Sequence, residues 1–433
     1  MKKKIPVVTV ANAEEAAGLT ELPGEVRIAL AEVAQSAKYG LSGFCADVGL
    51  VVMYEMMVAE LTERIGPKGA HIPGREANWH GDTKGKVVLG DRLVAMERPR
   101  GRYVDGGEME LESWRVFSST DLLDQLTVER MLAGVATRRH VDVSVPTTPE
   151  IDEAAAGTAK SSVSRRFHRA TEAKLAELMA RDLSGYEVAV MMIDGVDVAG
   201  QCCVVALAIT TDGVKIPVGL WLGDTENHRV VTDLLADLVA RGLSDDGGIL
   251  FALDGAKALA KAVRKVFGDD TLIQRCTIHK RRNVAGYLPA ELAGTIDWRL
   301  ARAFANPDPA KGLDQARRLA AELQADHPDA AGSLREGLED MFTVRRLGIT
   351  GTLLKSITTT NPIESMISIV RTTTRNVKNW KDGEMKKRWI ATGMLEAERS
   401  FRRVKGCKEM DALVTALRHH AKVTPSDYDQ AAA

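Results

Sequence analysis

Cysteine is scarce in this chain, and the few present do not form a framework. Cys45, Cys202, Cys203, Cys276 and Cys407 are odd in number and scattered, which suits a reducing cytosol better than a disulfide scaffold. No run approaches the roughly 18 apolar residues that a membrane helix needs. The start, MKKKIPVVTVANAEEAAG, is charged but has no uninterrupted apolar core, so no cleavable signal is read there. There is no internal repeat and no low-complexity segment. Neither G-x-G-x-x-G nor G-x-x-x-x-G-K-[ST] follows a strand-like run, so a nucleotide cofactor has no support. An excess of one charge is missing too, with 58 Lys+Arg against 59 Asp+Glu.

What is present is an ordinary globular composition. The 433 residues are 45% hydrophobic and 27% charged, with room for about two to four domains. The charge is balanced in total but not in distribution. From Met341 to Glu409 there are 15 Lys/Arg and 6 Asp/Glu, a surplus of nine positive charges. A basic stretch in a neutral chain suggests a polyanion on one face; a solvated helical surface is the plain alternative.

The texture changes along the chain. Residues 1–118 read as helical segments, Gly24–Ala37 and Val48–Ile65, followed by short alternating runs near 86–96 that look like small antiparallel strands. Residues 119–183 return to helix. Around Gly157 the pattern of short helix, glycine turn and serine-capped helix reads as a helix-turn-helix, its second helix carrying Lys160, Arg165, Arg166 and Arg169 toward phosphates or base edges. A helical hairpin with a solvated basic face fits the same residues. Residues 184–284 alternate as an α/β unit, beginning with YEVAVMMI, a continuous apolar run expected of a strand covered on both faces. Residues 285–350 are helical, and 351–433 are helical with breaks.

Two aspartates end apolar strands. Asp194 follows VAVMMI and precedes Gly195; Asp254 follows GGILFAL and precedes Gly255. Two such carboxylates side by side would make an oxygen-rich pocket suited to Mg²⁺, although a strand-end Asp is also a common turn former or helix cap. Glu364, in TTTNPIES, falls in the first turn of a helix that Thr360 or Asn361 can cap and Pro362 can begin. There it could equally serve only the helix dipole. Arg371, Arg375, Lys378 and Lys381 follow on its flank. Cys276 and His279 resemble half a zinc site, but no second pair has suitable spacing. They read better as neighbours of the acidic pocket or of DNA, beside Lys280, Arg281, Arg282 and Asn283. Asp224 and Glu226, in GDTENH, are a further acidic spot, best read as a solvent loop.

Taken in order, MMIDGV around Asp194, LDGAKAL around Asp254, QRCTIHKRRN around Cys276 and His279, and TTTNPIES around Glu364 resemble the mutator-type family of bacterial insertion-sequence transposases. The resemblance covers about residues 120–410. It implies a ribonuclease-H-like α/β core, a mixed sheet flanked by helices, with an all-α insertion at 285–350 and a mostly helical N-terminal DNA-binding region. It implies that Asp194, Asp254 and Glu364 are the acidic triad of a DDE transposase, holding two Mg²⁺ ions with Mn²⁺ able to substitute. Cys276 and His279 match the family's Cys-x-x-His signature. The implied partners are double-stranded DNA, both transposon ends and target, and a second copy of the chain on that DNA. The implied setting is the cytoplasm and nucleoid of a bacterium, with no membrane. Two rivals share the residues: a transposase-derived regulator without catalysis, and a ribonuclease-H-like repair nuclease.

Overall fold

The computed structural model describes residues 40–145, 147–223 and 227–423. The segment expected to be helical at 24–37 and the acidic spot Asp224/Glu226 lie outside the described residues. The chain divides into two compact units, Met1–Ala170 and Thr171–Ala433.

In the first unit, α1 (Leu41–Ile65) precedes an antiparallel sheet of β1 (Ala77–Leu89), β2 (Arg92–Tyr103) and the short β3 (Glu108–Met109), in that order. The hairpin is longer than the alternating runs suggest. Its tight connection needs a left-handed residue, supplied by Gly90 at φ 61° between Leu89 and Asp91. One face of α1, with Met57, Leu61 and Ile65, packs with Val87, Met96, Met109 and Leu111. The other face carries Leu41, Val51, Val52 and Met56 exposed. The sequence has no unbroken apolar run of the length a membrane helix needs, but α1 is apolar in total. By length and composition alone α1 is long and apolar enough to cross a membrane, and most of it is not buried. Spaced Asp and Glu hide this apolarity from a search for unbroken apolar runs. Next come α2 (Glu112–Ser118), α3 (Asp121–Leu132), α4 (Pro149–Ala154) and α5 (Lys160–Met179), the last running past Ala170 into the second unit. Gly157, at φ 90°, lies in the turn between α4 and α5. Helix α5 starts at Lys160, ahead of the serines expected to cap it.

The second unit is built on a five-stranded sheet. Its strands are β4 (Val188–Val198), β5 (Gln201–Thr210), β6 (Lys215–Gly223), then, after α6 (His228–Ala240), β7 (Leu250–Leu253), α7 (Lys257–Phe267) and β8 (Ile273–Arg275). The spatial order is β6-β5-β4-β7-β8. The first three strands form an antiparallel meander, and β7 and β8 add in parallel on the other side of β4. Both faces are covered, which is why YEVAVMMI is continuous rather than alternating. Val190 and Met192 enter one core; Met191 and Ile193 enter the other. The second core takes α6 and α7 through Val231, Leu234, Leu259 and Val263.

After β8 the chain is helical: α8 (Thr277–Ala285), α9 (Ala290–Ala305), α10 (Pro309–Leu323), α11 (Pro328–Arg335), α12 (Thr343–Arg346), α13 (Gly351–Ile357), α14 (Asn361–Thr374), α15 (Gly383–Ser400) and α16 (Met410–Val423). Helices α9 to α11 have their own core, including Leu300, Leu319, Leu334 and Phe342. Helices α14 to α16 return to the sheet and close the first core through Met366, Ile390, Met394 and Leu413. The observed class is mixed α/β, with an all-α segment between β8 and α14.

Candidate active site

The site begins with strand register. In the parallel pair β4–β7, Ile193 lies opposite Leu253. The next residue on each strand is an aspartate, so Asp194 and Asp254 emerge side by side. Asp254 follows the end of β7. Asp194 does not end its strand, as the sequence suggests. Strand β4 runs on to Val198 because it pairs with β5 through Val198↔Gln201, turning at Ala199 and Gly200, both with positive φ. Asp194 instead marks the point where β7 stops and leaves its neighbour on β4 uncovered.

Each aspartate spends one oxygen locally. Asp194 Oδ1 accepts from the Gly195 amide at 2.8 Å, and Asp254 Oδ1 accepts from the Ala256 amide at 2.8 Å. The second bond is the helix-capping alternative in part: Asp254 braces the entry to α7 whatever else it does. Asp194 is the perturbed member of the pair. Burial pushes its carboxyl up to about 6, with Asp254 and Glu364 adding repulsion while the Gly195 amide and His279 oppose it. That Glu364 contributes places the third carboxylate in the same field, although it is 110 residues further along than Asp254.

Glu364 sits in the first turn of α14. Thr360 is the residue before that helix, yet its hydroxyl caps no backbone amide. It donates to Glu364 Oε1 at 3.2 Å and lies 3.3 Å from His279 Nδ1. His279 Nε2 in turn stands 3.3 Å from Glu364 Oε1. His279 is in the first turn of α8, one turn after Cys276, which is buried at the end of β8. The Cys276 amide is fixed by Leu253 O at 2.7 Å, and the Thr277 amide by Thr358 O at 3.0 Å. These two backbone bonds bring the Cys-x-x-His segment against both β7 and the threonine string before Glu364.

The charges follow from this packing. A hydrogen bond to Cys276 raises His279 to about 9 against the cost of burial, with Cys276, Glu364 and Asp254 adding attraction. Burial pushes the Cys276 thiol up, but hydrogen bonds with His279 and Thr360 outweigh it and leave the thiol below its ordinary value. His279 is thus a cation among acids. Thr360, fully buried, joins Cys276, His279 and Glu364, and the sequence reading gave it only a capping role. Its one sequence signal is position, one helical turn before Glu364.

Carboxylate oxygens are the donors a hard divalent cation takes. Among the described residues, however, no three His, Cys, Asp or Glu side chains are gathered closely enough to hold one metal ion. Asp194 and Asp254 form the near pair, while Glu364 is drawn to His279. The zinc reading of Cys276 and His279 gains no further ligand.

The cations expected to meet DNA separate into two groups. Arg371, Arg375 and Lys378 are exposed on and after α14, and no ion pair holds them among the described residues. Arg282 and, on α5, Lys160 and Arg165 are also exposed. The others engage acceptors within the protein, Arg169 while remaining exposed. Arg166 is buried, donating to Thr127 Oγ1 at 3.3 Å and to Gly157 O. Arg169 is paired with Asp124 of α3. Lys280 is buried, with Nζ on the carbonyls of Ser333 and Glu336 at 2.6 and 2.8 Å, where it binds the end of α11. Arg281 pairs through both Nε and Nη2 with Asp297 of α9. For Arg166 a signal existed: it shares the stripe Val163, Phe167 and Ala170 at helical spacing, and Val163 and Phe167 are buried.

The arrangement has relatives. Residues 24–403 match the family model described as Transposase, Mutator family. The chain is 30% identical over 205 residues to the transposase for insertion sequence element IS6120 of Mycolicibacterium smegmatis, covering 46% of this chain and 62% of that protein. It is 27% identical over 219 residues to a probable insertion-sequence transposase of Corynebacterium diphtheriae, covering 50% and 62%. It is 24% identical over 351 residues to the transposase for element ISRM3 of Rhizobium meliloti, covering 79% and 84%. The chain therefore spans 62% of the length of the first two of these relatives and most of the third. With a match running through both aspartates, the Cys-x-x-His segment and Glu364, the chain belongs to the Mutator family of transposases.

Proposed function

We propose that this chain is a DDE transposase that binds the terminal inverted repeats of an insertion sequence and cuts and joins DNA strands there. The observation that carries the reading is the β4–β7 register, which sets Asp194 beside Asp254, with Glu364 adding to the same field. The strand order β6-β5-β4-β7-β8, three antiparallel strands and two parallel, supports a ribonuclease-H-like core. The helices α9 to α11 then stand as the insertion before the third acidic residue.

In this reading Asp194 and Asp254 would hold the divalent cations, together with Glu364. Two Mg²⁺ ions, or Mn²⁺ in their place, supply charge neutralisation at the scissile phosphate and acidify the attacking water or 3′-hydroxyl. His279, its Nε2 3.3 Å from Glu364 Oε1, keeps that carboxylate oriented while the cations are absent. Arg371, Arg375 and Lys378 neutralise backbone phosphates. Lys160 and Arg165 are the outward cations left on α5 to read a groove. A homodimer would hold two DNA ends together, on the nucleoid of a bacterial cell.

The test is strand nicking and joining on duplexes bearing the element's inverted repeats. Activity should require Mg²⁺ or Mn²⁺, stop in EDTA and vanish in Asp194→Ala, while DNA binding persists and weakens steeply with salt. Binding without nicking by the wild type under any divalent metal would instead mark a transposase-derived regulator. Cleavage of duplexes lacking the repeats, with no strand joining, would mark a repair nuclease.

A further inference from the structure

Helix α7 starts three residues after Asp254 and has two unlike faces. Leu259, Ala260, Ala262 and Val263 are buried against the sheet. Lys257, Lys261 and Lys265, at i, i+4 and i+8, form an exposed row on the opposite side. The helix contains no acidic residue. Arg264, beside the row, reaches Asp340 at 3.8 Å, but the three lysines have no ion pair among the described residues.

This row works against the fold that carries it. Like charges at i, i+4 repel and destabilise a helix. Lys257 also occupies the first turn, where the helix dipole disfavours a cation, and Ala256 offers no side-chain cap. Its charge is felt as far as buried Lys280, held at about 8 by burial with Arg275 and Lys257 adding repulsion. A merely solvated face would gain from interspersed acids; the helix has none, and Asp269, beyond its end, lines the same groove as the lysines.

We propose that Lys257, Lys261 and Lys265 form a track for the phosphate backbone of duplex DNA, leading away from Asp254. The inference rests on the transposase reading and adds a DNA path to it. At about 1.5 Å rise per residue the row spans about 12 Å, and nucleotides along one strand rise about 3.4 Å each. Three ammonium groups so spaced face three or four successive nucleotides of one strand. The lysines grip without reading sequence, because phosphate contacts fix register and carry no base information.

The experiment measures affinity of the full chain for a 30-base-pair duplex by fluorescence anisotropy, in EDTA, from about 50 to 200 mM salt. Each phosphate contact contributes about 0.9 to the slope of log affinity against log salt. The triple variant Lys257→Ala/Lys261→Ala/Lys265→Ala should therefore lose about 2 to 3 from that slope, and at least tenfold in affinity near 100 mM. The triple Lys→Arg variant should retain both, and the alanine variant should melt no lower than wild type, because it loses repulsion and no contact. An alanine variant that binds with wild-type slope overturns the track and leaves the transposase reading standing. An arginine variant that loses binding also overturns it. A wild type with no salt-dependent duplex binding overturns both.

Discussion

The paired aspartates of the sheet and the cations at the start of α5 were both prominent in the sequence, and folding treated them oppositely. Asp194 and Asp254 emerge together because two parallel strands are in register, and among the described residues each hydrogen-bonds only within two residues of itself. Their remaining oxygens stay available. On α5, Arg166 turned inward to Thr127 and Gly157, and Arg169 was taken by Asp124. The difference lies in reach. An aspartate is short, so a strand end fixes where its oxygens can be. An arginine is long and forked, and whichever acceptor the neighbouring helix supplies decides its direction.

The largest effect should come from the carboxylate side of this contrast. Asp194→Ala or Asp254→Ala should lower strand nicking by about a thousandfold or more, since metal-borne charge stabilisation is worth several kcal/mol. Metal-independent DNA binding should be unchanged; normal nicking by either variant would break the pairing of these residues.

The same side predicts a stability gain from a loss of function. Asp194 lies at about 6 against a usual 3.8. A folded value above the unfolded one means that the folded chain holds the proton more tightly, so stability falls as pH rises from about 4 to 6. Above that window Asp194→Asn should stabilise the metal-free chain by about 2–3 kcal/mol, at about 1.4 kcal/mol per unit. His279, at about 9 against 6.5, has the usual sign for a partnered histidine. Its contribution is complete below 6.5 and is lost as pH rises through 9. Melting in EDTA from pH 5 to 9 checks both: the low-pH slope should vanish in Asp194→Asn, and the high-pH slope in His279→Gln.

A smaller effect should follow from Thr360→Val, which keeps the shape but removes the hydroxyl between His279 and Glu364. It should cost about 1–2 kcal/mol for the lost hydrogen bond to the partly exposed Glu364 carboxylate, read as a lower melting temperature. The smallest effects sharpen the helix side. Arg166→Ala should cost about 1–3 kcal/mol of stability by stranding its buried acceptors. Arg165→Ala, exposed, should change stability by less than about 0.5 kcal/mol and weaken DNA binding a few-fold. Equal effects of the two on binding, with no difference in melting, would erase the distinction between the inward and outward arginines.

The sheet was legible because each of its strands is a local event. Runs such as VAVMMI and GGILFAL are continuous where both faces are covered, and each contributes to a strand, β4 and β7 respectively. The extension of β4 past Asp194 was not legible, since it depends on the turn at Ala199–Gly200 and pairing with β5. Nor was the apolarity of α1, dispersed among charges. The motif at Cys276 and His279 was visible, but its work was not: only the backbone bonds to Leu253 and Thr358 bring it to Glu364.

By itself the sequence determined which groups are there to meet: three carboxylates, a Cys-x-x-His pair, an apolar sheet to carry two of the acids, and a surplus of cations late in the chain. Tertiary structure alone decided which cations remain outside, that a buried threonine joins the histidine to the glutamate, and that Glu364 rests on His279 rather than beside the two aspartates. Residue type and short-range periodicity are written in neighbouring positions. Burial and the pairing of long charged side chains depend on groups tens to hundreds of residues away, whose positions exist only once the chain has packed.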